Sequence, residues 1–191
     1  MCGRFTNTAN PNSIQIRFDI EAEDLELVPR YNIAPTQEVP IVVEEEGQRK
    51  LVMMRWGLIP GWAKEASIGN RMINARLETL PQKPAFKRYF QKSRCIVPAD
   101  SFHEWKKSGK EKQPLRIVLK SRQLFGMAGL WTKWRDAEGK EIKSCGFASS
   151  LLPILSGSQA HAHQSSECRL RKSELCTDFL RWIRRSELMC P

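Results

Sequence analysis

Residues 38–60 read EVPIVVEEEGQRKLVMMRWGLIP. Two apolar runs flank the polar EEEGQRK stretch, which predicts two antiparallel strands joined by a tight turn. The same grammar recurs downstream. SFHEWKKSGKEKQPLRIVLKS at 101–121 predicts a second hairpin, whose tip carries Lys106, Lys107, Lys110 and Lys112 as a solvated basic face. RCIVPAD at 94–100 predicts a buried strand ending at its proline. QLFGMAGLWTKW at 123–134 and EIKSCGFAS at 141–149 complete the strand series. Strands joined by short polar turns pair antiparallel.

Helical signals are few. PNSIQIRF at 11–18 puts Ile14 and Phe18 on one face, and KPAFKRYFQ at 83–91 predicts a short basic helix. VPRYNIAPT at 28–36 reads as irregular loop because Pro29 and Pro35 oppose regular structure. GWAKEASIGNRMINARLETL at 61–80 reads as mostly loop. The expected fold is a single α+β domain of mainly antiparallel, barrel-like β-sheet with a few short helices.

The chain has 191 residues, of which 41% are hydrophobic. That suits one globular domain with a sizeable core. No apolar run is long enough to span a bilayer, and the start lacks the apolar region of a secretory signal. A cytoplasmic location is expected, with the six cysteines as free thiols; none shows the C-x-x-C spacing of a zinc ribbon. Neither metal nor cofactor is expected. The net charge of +10 is spread along the chain and favours an anionic partner, nucleic acid above all. A folded basic groove fits that distribution better than a disordered arm.

The first residues, MCGRF, raise a chemical possibility. Trimming of Met1 would leave Cys2 with a free α-amine and a thiol two carbons apart. An α-amine titrates near 7.7–8.0, so part of it is neutral and nucleophilic at pH 7, whereas a lysine is almost wholly protonated. Such a pair attacks an aldehyde as amine and then closes a thiazolidine ring as thiol.

Four stretches carry a family likeness: MCGRF at 1–5, RWGLIPGWAK at 55–64, INARLET at 73–79 and PADSFHEWKK at 98–107. YNIAPTQ at 31–37 and GMAGLW at 126–131 fit as well. Together they resemble the SRAP family, first described as SOS-response-associated peptidases, whose members cross-link to abasic sites in single-stranded DNA. The likeness runs from Met1 to about Ala148, so the expected division is an SRAP domain over 1–148 and a divergent tail over 149–191. It implies Cys2 as nucleophile, Asn74 and Glu104 as catalytic partners, and Arg4, Arg71, Arg76, Trp56, Trp62 and Trp105 as DNA contacts. Lys87 and Arg88 extend the basic footprint. The implied partner is single-stranded DNA containing abasic sites, bound by a monomer in the response to DNA damage. Lyase and self-processing peptidase activities are related possibilities.

Each residue also has a plain structural reading. Glu104, between Phe102 and Trp105, reads as a partly desolvated general acid or base, or as a surface partner of Lys106 or Lys107. Asn74 reads as an amide that orients sugar or nucleophile, or as a turn former. Trp56 lies in an apolar strand and suits a core as well as a base stack; Trp62, after Pro60 and Gly61, is the better stacker. A non-covalent single-strand binding module and a cysteine peptidase are the competing functions.

The family's Ile-Thr-Thr strand end and His-x-Arg-Met-Pro loop are missing. After Phe147-Ala148 the chain reads SSLLPILSGSQAHAHQSSECRLRKSELC. His161 or His163 is the available substitute for the family histidine. A frameshift accounts for the change: codons for Ile-Thr-Thr-Ala, read one nucleotide later, give Ser-Leu-Leu-Pro, as at 150–153. The same shift hides Arg-Met-Pro behind Ser166-Glu167-Cys168-Arg169. Residues 173–188 show Leu175, Phe179, Leu180, Trp182 and Ile183 at helical spacing.

Overall fold

The structure is a computed structural model that describes residues 3–20, 26–108, 111–149 and 160–161. The expected helix over 173–188 and His163 lie outside them.

Strand β1 (Arg4–Asn7) leads into helix α1 (Pro11–Phe18). Asn10 caps that helix by accepting from Ser13 N–H at 2.8 Å, and Pro11 occupies its first turn, where a missing N–H costs nothing. Ile14 and Phe18 are buried on one face, as their spacing predicts. Strand β2 (Arg30–Ile33) follows. It corrects the loop expected over 28–36: the two prolines bound the strand rather than abolish it. Phe5↔Ile33 and Asn7↔Arg30 are its register partners in β1.

The hairpin at 38–60 forms. β3 (Glu38–Glu45) and β4 (Gln48–Trp56) pair antiparallel from Glu38↔Arg55 to Glu45↔Gln48. Glu46 and Gly47 between them have φ of 57° and 79°, the left-handed pair whose twist matches a two-residue hairpin. The stretch 61–80 carries more structure than expected: a 3-10 turn at Ala66–Arg71, strand β5 (Asn74–Arg76) and a second 3-10 turn at Leu77–Thr79. Helix α2 (Pro84–Lys92) matches the predicted basic helix. Strand β6 (Arg94–Ala99) runs through Pro98, paired with Gly126, instead of ending there. The second hairpin is β7 (Ser101–Ser108) with β8 (Glu111–Leu119). β9 (Phe125–Arg135), β10 (Glu141–Ser149) and the short β11 (Ala160–His161) complete the described elements.

Two sheets result. One has the order β11-β8-β7-β1-β2 and the other β4-β3-β6-β9-β10-β5. A parallel pairing of β10 with β4, Ser144↔Arg55 and Cys145↔Trp56, closes the second sheet into a ring. The fold is therefore α+β and barrel-like, mainly antiparallel, with parallel contacts where β4 and β5 meet β10. Inward side chains of both sheets, among them Phe5, Ile33, Trp56, Val97, Phe102, Phe125 and Phe147, form the main core. A second core lies under the helices, where Ile14, Phe18 and Phe90 meet Val42, Ile96 and Leu130. No described helix is long and apolar enough to cross a membrane.

Candidate functional site

Phe5 is fully buried and touches two rings edge-on: Trp56 at 5.4 Å and Phe147 at 5.5 Å between centroids. Trp56 and Phe147 stack at 4.5 Å. This trio joins the N-terminal strand β1 to β4 and β10. It also places β5. Trp56 Nε1 donates to Ile73 O at 3.0 Å, and Phe147 N–H donates to the same oxygen at 2.9 Å. The next residue is Asn74, the register partner of Phe147. Asn74 is half-buried and Arg76 exposed.

The other side of β1 meets β7. Arg4↔His103, Phe5↔Phe102 and Thr6↔Ser101 are register partners. Continuing that register by one residue sets Gly3 opposite Glu104. Alternation along β7 puts Glu104 on the same face as the buried Phe102. Glu104 is half-buried and Trp105, on the other face, is half-exposed. Cys2 lies outside the described residues, but it is bonded to Gly3. The chain segment that follows Cys2 thus pairs with the strand carrying Glu104, and its Phe5 touches Phe147, the register partner of Asn74. Arg4 is half-buried and donates to Asn32 Oδ1 at 3.0 Å.

The loop between β4 and β5 docks on β10. Gly57 N–H donates to Cys145 O at 2.7 Å, Ile59 N–H to the buried Ser144 Oγ at 2.8 Å, and Leu58 N–H to Met72 O at 3.1 Å. Gly57 has φ of 134°, and a Cβ there would lie 2.7 Å from Gly69 O. Only glycine satisfies both demands. The outcome is an exposed Trp62 on a pinned backbone. Gly61 N–H donates to Tyr89 Oη at 2.8 Å, and Ala63 O accepts from Trp134 Nε1 at 2.7 Å. Trp62 itself is 64% exposed. It lines an open cavity of about 630 Å³ with Lys64, Glu65, Asn70 and Arg71. Tyr89 and Trp134, which hold this platform, carry no sequence signal that marks them.

One expectation needs correction. Trp56 has no exposed surface. It belongs to the core and to the placement of Asn74, so it has no face left for a base. His161 pairs with Val118 of β8. Val118 falls in the row of Ser101 by the β7–β8 register, three residues from Glu104 and two strands across. At ~3.4 Å per residue and ~4.8 Å per strand, the His161 and Glu104 backbones are about 14 Å apart.

Arg71, Lys87 and Arg88 are exposed. Cys95 and Cys145 lie fully buried in the main core. Burial pushes both thiols up, and the neighbouring Cys145 adds to the rise at Cys95. Neither suits a nucleophile, since the thiolate is the reactive form.

The chain is 46% identical over 148 residues to the abasic site processing protein YoqW of Bacillus subtilis, a match covering 76% of this chain and 66% of the relative. It is 34% identical over 163 residues to the abasic site processing protein YedK of Escherichia coli, covering 81% and 72%. A crystal structure of a Bacteroides thetaiotaomicron protein superposes with a TM-score of 0.67 at 27% identity, covering 76% of this chain and 66% of that one. The chain thus spans just under two-thirds of the Bacillus relative's length. The model of one family covers residues 1–149, all the strands from β1 to β10, and the chain belongs to it: the SOS response associated peptidase (SRAP) family.

Proposed function

We propose that this chain captures abasic sites in single-stranded DNA as a covalent adduct on Cys2. The observation that carries the reading lies around Phe5: the strand that follows Cys2 pairs with the strand of Glu104, and Phe147, in ring contact with Phe5, is the register partner of Asn74. The names of the relatives, abasic site processing proteins, agree with it.

The chemistry balances with proton transfers alone. After removal of Met1, the α-amine of Cys2 adds to C1′ of the ring-opened sugar, giving a carbinolamine. Protonation of its hydroxyl expels water and leaves an iminium ion. The Cys2 sulfur then adds to the same carbon, and the thiol proton leaves. The product is a thiazolidine, with one water released. Glu104 is the shuttle for these protons. Asn74 offers an amide to the sugar hydroxyls without acting as a base. Trp62 stacks on a base beside the lesion while Arg71 and Arg76 take phosphates, the usual division of labour for single strands.

The test is a denaturing gel with an oligonucleotide bearing one abasic site, an intact control and Cys2→Ala. The expected product is a shifted band that survives boiling, needs the lesion and vanishes with Cys2→Ala. Salt-sensitive binding with no covalent band would favour a simple binding module instead. Turnover of a peptide without any aldehyde would favour a peptidase.

A further inference from the structure

β1 is four residues long and begins two residues behind Cys2. Such terminal strands fray unless something ties them. Burial of Phe5 decides which face of β1 looks inward, but a slip of two residues would preserve that alternation. Such a slip would take Phe5 away from Trp56 and Phe147, and a second, polar anchor adds to that ring packing in setting the register.

The candidate is a polar knot at the other end of β1. Asp100 sits at the corner between β6 and β7, with its side chain 15% exposed. Its carboxylate accepts from Thr8 N–H and from Thr8 Oγ1, both at 2.6 Å, and from Thr6 Oγ1. Its own backbone N–H donates to Thr6 O at 3.1 Å. Thr6 Oγ1 also lies 2.5 Å from Ser101 Oγ. Arg116 of β8 closes the knot: Nε donates to Ser101 Oγ at 2.9 Å, and Nη2 lies 3.7 Å from Asp100 Oδ1. Thr6 and Ser101 are almost completely buried and are themselves register partners. One carboxylate therefore gathers donors from two β1-side residues and one guanidinium from β8. A slipped β1 would leave the buried hydroxyls of Thr6 and Ser101 without these partners, a costly outcome.

We infer that Asp100 is a positioning residue: with Thr6, Thr8, Ser101 and Arg116 it locks the β1–β7 register that sets Gly3, the residue bonded to Cys2, opposite Glu104. This rests on the function proposed above. Asp100 acts through Glu104 and touches no substrate.

The experiment is single-turnover cross-linking to an abasic oligonucleotide, with the rate at saturating DNA separated from the concentration giving half that rate. Asp100→Asn keeps the shape but turns an amide toward donors. Thr6→Val keeps the branched shape and loses only the hydroxyl, so it carries the test should Asp100→Asn fail to fold. Both are expected to lower the saturating rate at least about tenfold while leaving the half-saturating concentration unchanged, and Thr6→Ser to restore the rate. In a Glu104→Gln background Asp100→Asn should add little, because coupled residues are not additive. An unchanged saturating rate in folded Thr6→Val, or full additivity with Glu104→Gln, overturns the inference. Absence of a cross-link with the wild-type chain itself would instead overturn the proposed function.

Discussion

Trp56 and Phe147 stack at 4.5 Å with 14° between their planes, and both donate to the carbonyl of Ile73, just ahead of Asn74. The ring pair is core and scaffold at once. Trp56→Phe should cost ~2–3 kcal/mol in urea unfolding, from lost volume and a lost buried hydrogen bond. It should also slow cross-linking without loss of the nucleophile. A cost below ~0.5 kcal/mol would show that the trio does not organise the site.

Trp62 makes the opposite prediction. It is exposed on a backbone pinned from both sides. Trp62→Ala should leave thermal stability nearly unchanged and weaken single-strand binding by ~1–3 kcal/mol, between about fivefold and 150-fold. Arg71→Ala should flatten the dependence of log affinity on log salt by ~0.7. Fluorescence titration at several salt concentrations reads both.

Glu104→Gln removes the proton shuttle and keeps the shape of the side chain. The saturating cross-linking rate should fall ~10²–10⁴-fold, the usual range for general acid–base groups. DNA affinity should be little changed. A variant as fast as wild type would return Glu104 to the role of a surface residue.

Cys95 and Cys145 have thiols pushed above their ordinary 9.0 by burial. The unfolded chain therefore loses these protons at a lower pH than the folded one. Folding stability should fall as pH rises above about 9, by up to ~1.4 kcal/mol per pH unit for each thiol. Denaturant melts of wild type and Cys145→Ala at pH 8 and 10 test the sign. In native protein at pH 8, a thiol reagent should leave both cysteines unlabelled.

The frameshift reading of the tail predicts that the coding DNA, read in the alternative frame after Ala148, encodes Ile-Thr-Thr and later His-x-Arg-Met-Pro. Sequencing the coding region decides it. Restoring that frame should raise the cross-linking rate by returning the family's histidine. An alternative frame without Arg-Met-Pro sinks the idea.

Several features were legible in the chain alone. Alternation of apolar and polar residues around EEEGQRK specified a hairpin, because side-chain direction on a strand has period two. Ile14 and Phe18 specified a helix face in the same way. The order of short motifs named the family, and the family model covers the stretch in which they lie. What no local pattern contained was which rings and strands meet. Trp56 has the sequence of a stacker or a core residue, and only its burial against Phe5 and Phe147 decided between them. Pro29 and Pro35 spoke against a strand, yet pairing with β1 made Arg30–Ile33 one. The stretch after Gly61 read as loop because its β5 strand exists only through partners in β10. His161 looked available as a residue type, and only its register with Val118 showed how far its backbone lies from Glu104. Local chemistry and periodicity are properties of neighbours in the chain. Register, burial, the pairing of β1 with β7 and the ring contacts of Phe5 depend on contacts between distant segments, which only the folded structure supplies.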